Sequence, residues 1–144
     1  MRSLNLTIML TLVSLTLFGQ NTNKAKEEIS TLVTNFSSAV ENRDTLLLDP
    51  LLNENFRVVA LRFPTPDKTT VLSKEKYIFL LSAGKIGGEK RSVEIINLDI
   101  SEYVATAKVV FESDKMIFTT YQTYILNSEG KWQIISDIPV TKNK

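Results

Sequence analysis

The polar side chains that could do chemistry here are hydroxyls, amides and scattered carboxylates. The 144 residues include no histidine and no cysteine. The commonest general base, the commonest metal ligand, thiolate nucleophiles and disulfides are therefore all missing. Acidic and amide side chains with calcium-loop spacing are also absent, so neither a metal nor a cofactor is expected. What remains is a set of polar residues set among apolar ones in the second half of the chain: Asn97, Thr106, Thr119, Tyr121 and Ser136. Such groups hold a ligand by hydrogen bonds more readily than they transform one. Apolar walls with a few convergent polar groups are the usual make-up of a small-molecule pocket.

The spacing of these residues follows from the strands that carry them. From Arg91 to Pro139 the alternation of apolar and polar residues reads as four antiparallel strands with short turns. If Ser101-Glu102 and Ser113-Asp114 are two-residue turns and Asn127-Ser128-Glu129-Gly130 is a loop, each register is set. Asn97 then faces Thr106, Thr106 faces Tyr121, and Tyr121 faces Ser136, with side chains about 5 Å apart in one transverse row. Asp99, Lys108, Thr119 and Thr123 neighbour that row. The opposite face carries Ile96, Leu98, Ile100, Tyr103, Val109, Phe111, Met116, Phe118, Tyr124 and Leu126 and is at least as apolar. The pattern does not say which face the helices cover. A sheet that is apolar on both sides needs cover on both, so a homodimer packed through the sheet is expected.

Other candidates have plainer readings. Lys108 fits a rim position with its stem on apolar surface. Lys85, Lys90 and Arg91 surround Gly87-Gly88, but this loop follows a helix, where the dipole has the wrong sign for phosphate, and a turn is expected. Trp132 reads as core. Asn35-Phe36-Ser37 is a formal glycosylation triplet inside a predicted helix. The net charge of +1 gives no electrostatic reason to expect nucleic acid.

The elements that must position these groups begin after a targeting segment. Arg2, the apolar run Ile8 to Phe18 and the small residue Gly19 have the form of a signal peptide over residues 1–19, too short for a comfortable membrane span. Export to the periplasm or medium is expected, with membrane contact only through an uncleaved signal. Residues 20–144 then form one domain. Asn23 caps an amphipathic helix carrying Ile29, Leu32, Val33, Phe36 and Val40 and ending near Asn42. Asp44 caps a short helix that Pro50 interrupts. Phe56 to Phe63 and Thr69 to Leu72 read as strands, and a third helix runs from its Ser73 cap to Gly84.

This order of elements resembles the nuclear transport factor 2-like superfamily, which includes ketosteroid isomerase and the polyketide cyclase SnoaL. Asn42-Arg43-Asp44, Asn55-Phe56-Arg57-Val58-Val59, Ala83-Gly84-Lys85-Ile86-Gly87-Gly88 and Gly130-Lys131-Trp132-Gln133-Ile134-Ile135-Ser136-Asp137 are similar to its small exported bacterial members grouped under a lumazine-binding name. The resemblance covers roughly residues 24–140 and implies an α+β fold, with N-terminal helices packed on a strongly curved, mainly antiparallel, cystatin-like cone of sheet. It does not imply one activity, because the superfamily mixes enzymes, binding proteins and structural modules. Where many members place histidines after the tryptophan, this chain has Ser136 and Ile138, which counts against catalysis. The expectation is a non-catalytic small-molecule-binding or structural domain. The alternative is an isomerase or dehydratase acting on a small carbonyl compound, with Asp99 and Tyr121 cast by position as acid and donor.

Overall fold

A computed structural model of the chain describes residues 2–62 and 65–144, with side chains described from Asn21 onward; the predicted signal segment 1–19 thus lies outside the residues whose side chains are described. Helix α1 spans Arg2–Asn42, α2 Thr45–Leu48, a 3-10 turn Asp49–Leu51, and α3 Lys74–Ser82. The strands are β1 Leu52–Leu61, β2 Thr69–Ser73, β3 Ser92–Ser101, β4 Val104–Glu112, β5 Met116–Leu126 and β6 Trp132–Asn143. They form one six-stranded sheet in the order β2-β1-β6-β5-β4-β3. The β1–β6 pair is parallel and every other pair antiparallel. The fold is therefore α+β, with the N-terminal helices packed on a mainly antiparallel sheet.

The helix boundaries have local causes. Asp44 Oδ1 accepts from Leu47 N at 2.9 Å and Ser73 Oγ from Lys76 N at 3.3 Å, so each side chain satisfies a donor that a helix start leaves free. Pro50 turns the end of α2 into the 3-10 turn. At the end of α1, Asp44 N reaches back to Ala39 O and Arg43 N to Val40 O, the Schellman pattern, which puts Arg43 at φ +54°. That left-handed position normally takes glycine, so its occupation by arginine calls for a reason.

Helix α1 buries Ile29, Val33, Phe36 and Ala39 against the sheet face formed by Val109 and Phe111 of β4, Tyr124 of β5 and Ile134 of β6. Each such large apolar side chain contributes roughly 1.5–3 kcal/mol when fully buried, so this layer holds the helix on the sheet.

The helices cover this face, and Asn97, Thr106, Thr119, Tyr121 and Ser136 stand on the other. Tyr121 is 53% exposed there. The transverse row read from the sequence is not formed, because the turns sit elsewhere. Ser101 pairs with Val104, so the first turn is Glu102-Tyr103, with Glu102 at φ +49°. Glu112 pairs with Ile117 and Leu126 with Trp132. Relative to the sequence reading, β4 and β5 slip by two residues, which keeps the facing and changes the partners. Tyr121 lies between Lys108 and Ile138, while Thr106 and Thr123 lie between Asp99 and Ser136. Bulges between Ile95 and Asn97 and between Thr123 and Tyr124 supply the remaining shifts. At the first of these, Asn97 Oδ1 accepts from Lys108 N at 2.9 Å, so its amide stitches the bulge. At the second, Trp132 and Ile134 turn inward although Ser136 points out.

Candidate functional site

Between the sheet and the helices lies a cavity of about 430 Å³. Its walls are mainly apolar: Phe36 and Val40 from α1, Val58 and Ala60 from β1, Leu72 from β2, Phe111 from β4 and Phe118 from β5. None of the five residues singled out in the sequence lines it. The polar groups that do include Tyr77 on α3, Arg91 just before β3, Thr120 on β5 and Asp137 and Thr141 on β6, with Lys85, Glu89 and Ser113 toward its mouth.

Asp137 is the innermost charge-bearing group. It is buried among apolar strands, and the Thr120 hydroxyl donates to its Oδ1. Burial pushes its carboxyl above the ordinary carboxylate value, against the opposing pull of Thr120, the nearby Gln122 amide and the Arg91 charge. Gln122 Oε1 accepts from the Tyr124 hydroxyl at 2.7 Å, whereas its Nε2 is buried without a partner of hydrogen-bond geometry. Burial likewise raises the Tyr124 phenol, with a smaller push from Asp137.

Arg91 and Tyr77 face the same space. Arg91 Nε donates to Ser37 Oγ at 2.9 Å, and its guanidinium lies 4.3 Å from the centroid of Phe111 and 5.8 Å from that of Phe36. Its Nη2 is buried with no hydrogen-bond partner among the described residues. Burial depresses its pKa, opposed by Tyr77, Asp137 and Glu41, but it makes no ion pair with any of them. The Tyr77 ring stacks on Phe36 at 6.4 Å and meets Phe56 edge-on at 5.6 Å. Burial and then the Asp137 charge push the Tyr77 phenol well up, so it stays protonated and can only donate or accept a hydrogen bond.

The mouth is formed by the loop from Ala83 to Lys90, which Arg43 holds in place. Its Nε donates to Ile86 O at 3.1 Å, and Nη2 donates to Gly87 O at 2.9 Å and Gly84 O at 3.3 Å. This is why an arginine occupies the left-handed end of α1: from there its fork reaches three carbonyls. Gly87, at φ +67°, comes so close to α1 that a Cβ would lie 2.4 Å from Val40 O and 2.6 Å from Leu81 Cδ1. On the far side, Glu89 accepts from Lys115 Nζ and from Ser113 Oγ, each at 3.1 Å, which lowers its pKa. Among the described residues, no group of three His, Cys, Asp or Glu side chains could hold a metal ion.

The sequence reading takes Ser136 as the ligand-facing residue of this stretch, and alternation along a strand then turns its neighbour Asp137 to the other face. The available signal was a carboxylate between Ile135 and Ile138 in a strand. Arg91 was read as part of a basic turn, and only packing against Phe36 and Phe111 distinguishes it from Lys85 and Lys90.

A mainly antiparallel sheet with helices across one face and a hollow between them is the nuclear transport factor 2-like fold, and solved structures agree. An NTF2-like protein of unknown function from Silicibacter pomeroyi matches with TM-score 0.71 and 16% identity over 85% of this chain and 98% of that one. One from Shewanella baltica gives 0.73 and 15% over 84% and 96%. A ketosteroid isomerase-like protein from Erwinia carotovora atroseptica gives 0.64 and 12% over 81% and 94%. At these identities the likeness establishes the fold alone. No curated protein matches the sequence. The family model described as "Putative lumazine-binding" matches residues 24–138, and the chain belongs to that family.

Proposed function

We propose that this chain is an exported small-molecule-binding domain whose ligand occupies the cavity between sheet and helices. The observation that carries the reading is the cavity itself: about 430 Å³ of space, apolar walls, and Tyr77, Arg91 and Asp137 converging on it from different elements. Family membership supports the same reading, since the family is named for binding a pteridine. The test is a thermal-shift screen of the protein against pteridines, flavins, steroids and short fatty acids. A ligand-dependent rise in melting temperature that Phe111→Trp, which fills the cavity, removes is the expected result. No shift with any class of compound would sink the reading.

One observation favours a second reading, an isomerase or dehydratase acting on a small carbonyl compound. Asp137 is an enclosed carboxyl with a raised pKa, whereas Asp99 stands exposed on the outer face, and Tyr77 lines the same cavity as Asp137. Turnover of a carbonyl substrate that Asp137→Asn abolishes, with folding intact, would favour this reading over binding alone.

We extend the proposal to a homodimer through the outer sheet face. Leu61, Val71, Tyr121 and Val140 are all at least half exposed there, and Asp99 and Lys108 on neighbouring strands give the patch both charges, so a second copy can complement it. Sedimentation showing only monomer at micromolar concentration would remove the dimer.

A further inference from the structure

We propose that the cavity selects a carboxylate: a small molecule with an apolar aliphatic or aryl body whose anionic head lies against the guanidinium of Arg91. This rests on the ligand-binding reading above and names the ligand class.

The argument begins with the charges lining the hollow. Arg91 contributes a half-buried cation whose Nη2 is itself buried and unused, with no ion pair among the described residues. Lys85 adds a second positive group at the mouth, also without an ion pair among the described residues. Of the two lining acids, Glu89 already accepts from Lys115 and Ser113. Asp137 accepts from Thr120 and lies where burial favours its neutral form. Glu41 and Tyr77 are the other titratable groups near enough to act on Arg91, and neither is an ion-pair partner. No carboxylate among the described residues therefore pairs with the Arg91 guanidinium, and its Nη2 is left open. A cation with a buried open donor loses hydration that only an anion restores fully, and a guanidinium matches the paired oxygens of a carboxylate.

The rest of the lining suits the other end of such a molecule. Phe36, Phe111, Phe118 and Leu72 offer hydrocarbon and ring faces, and the Tyr77 hydroxyl offers one further donor. A phosphate dianion fits less well, because one guanidinium and a single mouth lysine leave most of its oxygens without donors.

Calorimetric titration of the full chain with hexanoate, octanoate, decanoate and 4-phenylbutyrate, each against its primary alcohol, and with phenyl phosphate, tests the proposal. At least one acid should bind about tenfold or more tightly than its alcohol, the worth of one charge-assisted hydrogen bond. Arg91→Met should bring that acid to the level of its alcohol and leave the alcohol unchanged. Arg91→Lys should keep part of the preference. Alcohols binding as well as acids, or a preference that survives Arg91→Met, would overturn the carboxylate and leave the binding cavity standing. Tighter binding of phenyl phosphate than of any acid overturns the choice of head group. Binding by none of the probes overturns the carboxylate, and the broader screen above then decides whether the cavity binds anything. Should Arg91→Met fail to fold, the acid and alcohol pairs on the unaltered protein still decide the outcome.

Discussion

The Thr120 hydroxyl donates to Oδ1 of Asp137, joining β5 to β6 at the inner end of the cavity. The two side chains project inward from neighbouring strands, both buried, and Thr120 is the side-chain donor to the Asp137 carboxyl. Whether that carboxyl carries a proton decides both the charge of the hollow and part of the stability of the fold.

Asp137 makes stability fall as pH rises. Its folded pKa lies above the ordinary value of about 4. Between the two values the folded protein holds a proton that the unfolded chain has released. Stability is therefore full below about pH 4 and declines through the raised pKa, with a slope of at most about 1.4 kcal/mol per pH unit for one proton. Asp137→Asn keeps an acceptor for Thr120 and cannot ionise, so the gap between variant and native protein should widen in the variant's favour toward alkaline pH. Urea unfolding of both proteins from pH 4 to pH 9 measures that gap. A constant difference would mean that Asp137 is not a buried titrating group.

Thr120→Val removes the donor without changing the volume much. The Asp137 carboxyl then loses its partner, at a cost of about 1–3 kcal/mol. Because the Thr120 hydrogen bond is the largest influence holding the Asp137 pKa down, the pH at which stability declines should also move upward. On the Asp137→Asn background, which cannot ionise, the pH effect should vanish while the cost of the lost hydrogen bond persists, because the amide oxygen still accepts from Thr120; a double-mutant cycle separates the two.

Arg43→Gly sets two effects against each other. Glycine relieves the left-handed backbone at φ +54°, by roughly 1 kcal/mol. It also removes the fork that holds Gly84, Ile86 and Gly87. These bonds are solvent-exposed, so the net change in melting temperature should be small. Hydrogen exchange should show the loss instead: the Gly88 amide, which donates to Val40 O at 3.1 Å, should exchange about tenfold or more faster, since a loop held by fewer bonds opens at lower free energy. Unchanged exchange would mean that the glycines alone shape the loop.

Tyr121→Phe should change neither stability nor ligand response. The ring is half exposed on the outer face and does not line the cavity, so an effect within about 0.5 kcal/mol is expected. A ligand-induced thermal shift lost in this variant would move the site to the outer face and return the polar row to consideration.

The elements were legible because their causes are local. Asp44, Ser73, Pro50 and Gly84 act within one turn of themselves, and the apolar spacing of Ile29, Val33, Phe36 and Val40 marks the buried stripe of α1 without any partner being known. The family signatures are legible for the same reason, being contiguous stretches. The alternation in β3 to β6 also sorted most side chains into two sets. It could not say which set the helices cover, because both are apolar, and period two has no sense of inside. The registers escaped because a turn displaced by one residue costs little locally while it changes every cross-strand partner. The bulges escaped because they relieve the curvature of a whole sheet. The cavity escaped most completely. Phe36, Tyr77, Arg91, Thr120 and Asp137 come from five separate parts of the chain, and what makes Asp137 a buried acid and Arg91 an uncompensated cation is the exclusion of water by all the others. The sequence thus determined which elements form and the family they belong to. Only tertiary packing decided which face is interior and where an unpaired charge is enclosed, because desolvation is a property of the assembled surroundings and not of the residue.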